Sequence, residues 1–139
     1  MSPGRSILVV DDHDEILDVT RTVLTGAGYE VQAVASGAEA LEQLCRRPFD
    51  LVLLDINMPE MDGWETLRLI RADDELADLP VVMFSVKGEM QDKIHGMQEG
   101  AVGYITKPFI VDELLLRIRA VFDSMPGSPP SHPSPRAAP

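Results

Sequence analysis

The chain has one cysteine, Cys45, among its 139 residues, so no internal disulfide can form. A reducing, cytoplasmic setting suits such a sequence. Long apolar runs are missing, and none approaches the roughly eighteen residues of a spanning helix. The start, Met1 to Arg5, leads straight into Ile7-Leu8-Val9-Val10 and then Asp11-Asp12, which is no signal peptide. Positive charge is short: 12 Lys and Arg stand against 23 Asp and Glu, for a net charge of −11. That deficit argues against general nucleic-acid binding, because phosphates must be met by cations. It argues equally against docking on an anionic membrane. Zinc spacing is absent, since His13, His95 and His132 lie in different segments and Cys45 is remote from them. No GxxxxGK[ST] occurs, Gly26-Ala27-Gly28 lacks the third glycine of a dinucleotide fingerprint, and there is no GxSxG elbow.

The length fits one domain, able to bury about two thirds of its unfolded surface without a metal or disulfide. Composition changes at Pro126, and six of the 11 prolines fall between there and Pro139. Such a stretch cannot offset its own ordering entropy. The expectation is a folded unit over 1–124 and a Pro-rich tail or linker over 125–139. A ligand for an aromatic groove, ending at Pro135-Arg136, is the sharper alternative.

Before that boundary, short apolar runs alternate with amphipathic stretches. The runs are Ile7–Val10, Val31–Val34, Leu51–Leu54, Val81–Phe84 and Val102–Ile105. Three of them are continuously apolar, which suits parallel strands buried on both faces. Helical stripes lie between them: Ile16, Val19, Val23 and Leu24; then Ala40, Leu41 and Leu44, opened by a capping box at Ser36 to Glu39. Trp64, Leu67 and Ile70 make a third, Met90, Ile94 and Met97 a weaker fourth, and Val111 through Phe122 the clearest fifth. Each gap between strands is long enough for a helical crossover and too long for a hairpin. Five such units predict an α/β doubly wound parallel sheet with helices on both faces.

Ligands of such sheets bind beyond the carboxyl ends of the strands. Asp11 and Asp12 follow the first strand, Asp55 ends the third, Ser85 the fourth, and Lys107-Pro108 the fifth. Each has a plain alternative. One of Asp11 and Asp12 could cap a helix, Asp55 could form a turn, Ser85 could cap the fourth helix, and Lys107 could be solvated. Their joint placement shifts the balance, because clustered carboxylates repel one another unless a cation neutralises them. Hard oxygen ligands suggest Mg²⁺. A metal beside a lysine is a phosphoryl-handling arrangement, and a carboxylate there can itself attack phosphorus.

These residues resemble the receiver domain of two-component response regulators, the chemotaxis regulators among them. The resemblance rests on Asp11-Asp12, on Asp55-Ile56-Asn57-Met58-Pro59-Glu60-Met61-Asp62-Gly63, on Ser85, and on Gly103-Tyr104-Ile105-Thr106-Lys107-Pro108-Phe109, and it covers about residues 6–124. It implies a flavodoxin-like strand order, 2-1-3-4-5. It further implies Asp55 as phosphoacceptor, with Mg²⁺ held by Asp11, Asp12, Asp55 and the Asn57 carbonyl. Lys107 would pair with a phosphoryl oxygen, Ser85 would hydrogen-bond the phosphorylated form, and Tyr104 would change rotamer as Ser85 moves. A cis Lys107–Pro108 bond is expected with them. The implied donor is the phosphohistidine of a sensor histidine kinase or phosphotransfer protein. The implied output is altered partner binding at the face of the fourth helix, fifth strand and fifth helix.

Val86 stands where many receivers carry Ala or Gly, which predicts slower phosphotransfer or hydrolysis. Lys87 either contacts the phosphoryl group or sits in solvent. The leading expectation is a cytoplasmic signalling phosphoprotein that catalyses its own phosphorylation and dephosphorylation. Its effect would pass to a downstream protein or a missing output domain. A phosphorelay shuttle and a receiver from a longer regulator or hybrid kinase are alternatives. A Mg²⁺-dependent phosphohydrolase is disfavoured because Asn57 stands where a general acid would be wanted. An interaction module without phosphorylation would normally lack the acids present here.

Overall fold

The computed structural model describes residues 5–86 and 100–124, with residues 85 and 86 described by backbone alone. The stripe at Met90, Ile94 and Met97, Lys87, the side chains of Ser85 and Val86, and the tail from 125 lie outside the described residues. The elements run β1 (Ser6–Val10), α1 (Asp14–Gly26), β2 (Glu30–Val34), α2 (Gly37–Arg46), β3 (Leu51–Asp55), α3 (Gly63–Ala72), β4 (Val81–Val86), β5 (Gly103–Lys107) and α4 (Val111–Ser124). The last helix, α4, is the fifth of the helices expected from the sequence.

All strand pairs are parallel, in the order β2-β1-β3-β4-β5. Alternation along each strand divides its side chains between two cores. Leu8, Val10, Val52, Leu54, Val81 and Met83 face α2 and α3, which add Ala40, Leu44, Leu67 and Ile70. Ile7, Val9, Leu51, Leu53, Val82 and Phe84 face α1 and α4, which add Leu17, Leu24, Leu114, Ile118 and Phe122. The central strands are thus buried on both sides, as their unbroken apolar runs require.

Local chemistry sets the helix ends. Ser36 Oγ accepts from Glu39 N at 3.1 Å, while Glu39 Oε1 reaches back to Ala35 N, one residue before the expected partner. Asp62 Oδ1 accepts from Glu65 N at 2.9 Å and caps α3. Gly28, at φ +100°, closes α1, and Tyr29 N returns to Leu24 O. In α1 the buried stripe is Leu17, Thr20 and Leu24, whereas Val19 is 49% exposed. Val102 is likewise exposed and precedes β5, although its N–H joins Val81 O at 2.9 Å. Arg71 spans the far edge of the sheet, donating Nη1 to Leu79 O and Nη2 to Gly100 O, both at 2.7 Å. Burial lowers its pKa from the usual guanidinium range.

Candidate functional site

Register brings the acids level. Val10 pairs with Leu54, so Asp11, one residue on, stands beside Asp55 at the carboxyl edge of β1 and β3. Asp55 pairs with Phe84, and Lys107 pairs with Val86 at the end of β5. Three strands from distant parts of the chain therefore deliver side chains to one edge, where order reverses around β1 and β3.

Asp11 and Asp55 are buried, at 0% and 3% exposure. Lys107 Nζ lies 2.6 Å from Asp11 Oδ2 and 3.0 Å from Asp55 Oδ1, with its side chain 15% exposed. It also sits over the Phe84 ring, 5.4 Å from the centroid. Lys107 is thus no solvated lysine but the cation between two buried carboxylates. Neither Asp11 nor Asp12 is the helix cap, a position held by His13. Instead Asp11 Oδ1 accepts from His13 N at 2.9 Å, which fixes a tight turn after β1. Asp55 ends its strand rather than forming a turn.

Burial pushes the Asp55 carboxyl above its ordinary range, and the Asp11 and Asp12 charges add to the rise against the opposing Lys107 bond. Asp55 Oδ2 is buried and has no hydrogen-bond partner among the described residues. An orphaned anionic oxygen amid further carboxylates is the chemistry that a hard divalent cation completes. Ligand atoms of Asp11, Asp12, His13 and Asp55 all lie within 4.8 Å of one another, so this cluster is able to hold a metal ion.

The loop after β3 is closely tied. Gly63 N donates to Ile56 O at 2.8 Å, and Met61 N to Pro59 O at 2.8 Å. Glu60 takes a left-handed φ of 69°. A Cβ at position 63 would collide with the Asp55 carbonyl oxygen and Ile56 Cα, so only glycine permits this approach. Asn57 is exposed on that loop. The Lys107–Pro108 bond is cis. Tyr104 is buried, at 6% exposure. Ser85 takes its place in β4 opposite Thr106, and its side chain lies outside the description.

The residue missed from sequence is His13. Its Nδ1 lies 3.0 Å from Asp11 Oδ1 and 3.2 Å from Asp12 Oδ1. The hydrogen bond to Asp11 and the Asp12 charge raise its pKa above the usual imidazole value. Its position directly after the paired acids was the available signal.

Residues 7–119 match the family model described as the response regulator receiver domain. Among curated proteins, the chain is 40% identical over 118 residues to the transcriptional regulatory protein GltR of Pseudomonas aeruginosa, covering 85% of this chain and 49% of that one. The chain spans about half the length of the curated relatives it matches. Among solved structures, a putative response regulator from Chloroflexus aurantiacus superposes with a TM-score of 0.82 at 36% identity, over 85% of this chain and 97% of that one. The Vibrio cholerae chemotaxis protein CheY4 gives 0.81 at 33% identity, over 85% and 98%. No helix among the described residues is long and apolar enough to cross a membrane.

Proposed function

The chain belongs to the response regulator receiver domain family, and from that membership we propose that it accepts a phosphoryl group on Asp55 and thereby switches partner binding. The observation that carries this reading is the contact of Lys107 Nζ with both Asp11 and Asp55 at the carboxyl edge of the sheet. A carboxylate oxygen of Asp55 attacks the phosphorus of a phosphohistidine on a sensor kinase or phosphotransfer protein. The new O–P bond forms as the N–P bond breaks, and the imidazole leaves. Lys107, already against Asp55, meets the equatorial phosphoryl oxygens as charge spreads over them. Asp11, Asp12, Asp55 and the Asn57 carbonyl would hold Mg²⁺, which would supply charge neutralisation. Burial of Asp55 excludes bulk water from the nucleophile until the donor docks.

The product adds negative charge and strong acceptors beside Lys107 and the end of β4. Ser85 takes one acceptor, Tyr104 follows, and the surface beside β5 and α4 alters its partner affinity. The chain thus acts on itself, as a cytoplasmic phosphoprotein, and not on a succession of external substrates. The greater length of its relatives, named as transcriptional regulators, favours a second reading of its setting: this receiver governs the output part of a longer regulator.

The test is incubation with acetyl phosphate and Mg²⁺, followed by intact mass. One added phosphoryl group is expected on the wild type and none on Asp55→Asn. An unlabelled wild type, or equal labelling of the variant, overturns the proposal.

A further inference from the structure

We propose that His13 adds a nitrogen ligand to the acidic pocket, which makes the site favour borderline divalent ions such as Co²⁺, Ni²⁺ and Zn²⁺ over Mg²⁺. The inference deepens the metal-binding part of the reading above and rests on it.

The geometry points there. Neighbouring ligands on a six-coordinate ion with bonds of about 2.1 Å stand about 3.0 Å apart, and opposite ones about 4.2 Å. His13 Nδ1 is 3.0 Å from Asp11 Oδ1 and 3.2 Å from Asp12 Oδ1, which are neighbouring-ligand spacings. The farthest pair in the four-residue cluster is within 4.8 Å, close to an opposite-ligand spacing. The same pocket contains the buried Asp55 oxygen that lacks a hydrogen-bond partner among the described residues.

The ring reaches this position through local structure. The bond from His13 N to Asp11 Oδ1 at 2.9 Å folds the chain back on the acid. The side chain is 62% exposed, so it is the two carboxylates that orient the imidazole. Oxygen-only sites suit Mg²⁺, which keeps its waters and gains little from imidazole. Imidazole suits Co²⁺, Ni²⁺ and Zn²⁺, whose affinities also rise along the first-row series.

The plainer account makes His13 a counter-charge for the acids. The two accounts differ in what removal of the ring does. Losing a counter-charge alters all divalent ions alike, whereas losing a nitrogen ligand weakens Co²⁺ and spares Mg²⁺.

The experiment is calorimetric titration of the full chain with Co²⁺ and, separately, Mg²⁺, in a buffer alkaline enough to keep imidazole neutral. His95→Ala and His132→Ala are present throughout, so His13 is the remaining histidine of the three. His13→Ala is expected to weaken Co²⁺ binding about tenfold or more, with Mg²⁺ affinity held within about threefold. The visible Co²⁺ spectrum should shift towards an all-oxygen shell. His13→Gln should behave as the alanine variant does, and it carries the comparison if that variant folds poorly. Unchanged Co²⁺ affinity, or parallel changes for both ions, overturns the inference. Loss of acetyl phosphate labelling with the His13 effect intact defeats the phosphoacceptor reading alone. Labelling without the His13 effect defeats this inference alone.

Discussion

Asp55 carries two opposed demands. In the proposed role of nucleophile it would have to be ionised, yet burial favours its protonated form, and Lys107 only partly compensates. Its folded pKa lies above its unfolded one, so the native state holds the proton more tightly. The stabilising contribution is full below the unfolded value and is lost as pH rises through the folded one. At neutral pH the ionised carboxylate is therefore a cost to the metal-free protein. Asp55→Asn is expected to stabilise that form at neutral pH by about 1 kcal/mol and to flatten its stability profile in the acid range. Urea midpoints across pH, with a chelator present, measure this. A variant less stable than wild type at neutral pH would contradict it. Asp11, Asp12, Asp55 and Lys107 were legible as one edge because each follows an apolar run. His13 was not, because the turn that folds it onto Asp11 depends on a side-chain bond absent from any periodicity.

At the scale of elements, helix α1 shows where pattern reading stops. The apolar stripe is Ile16, Val19, Val23 and Leu24, but the buried line is Leu17, Thr20 and Leu24. Leu24 is the buried member that the apolar stripe shares with this line, whereas Val19 is exposed and Thr20, which a polarity pattern does not register as core, takes the inward position beside it. Thr20 Oγ1 is buried without a hydrogen-bond partner among the described residues. Thr20→Val keeps the shape and removes the orphaned hydroxyl, so a gain of about 1 kcal/mol in chemical denaturation is expected. A loss would mean that the hydroxyl is satisfied after all. Strand existence and parallel pairing were readable because short apolar runs with long gaps admit few topologies, whereas the strand order came only with the receiver resemblance. Strand starts were less so: β2 takes in Glu30 ahead of Val31, and β5 begins at Gly103 rather than Val102, since ladder bonds take polar residues as readily as apolar ones. Gly63 stood in the sequence as part of a motif, but its role is to let α3 begin directly against the Asp55 carbonyl.

Across the whole molecule, the acid pocket draws its carboxylates from the ends of β1 and β3, so an ion bound there would tie together the two strands in the middle of the sheet. Mg²⁺ at about one hundred times its dissociation constant should add about 2.7 kcal/mol, raising Tm by about 10 °C over a chelator-treated sample. Asp55→Asn should show a much smaller rise. Equal Tm values with Mg²⁺ and with chelator would rule out the ion as a structural partner of the folded chain.

The pairing of Lys107 with Asp11 and Asp55 also bears on how the protein is made. A ribosome delivers both acids first, and the lysine follows Asp55 by 52 positions. Until it emerges, a nascent chain that has gathered β1 and β3 holds its buried carboxylates without their ammonium. Translation therefore withholds the closing charge until nearly the whole sheet exists, and a chain stalled before β5 is left with a repulsive carboxylate edge.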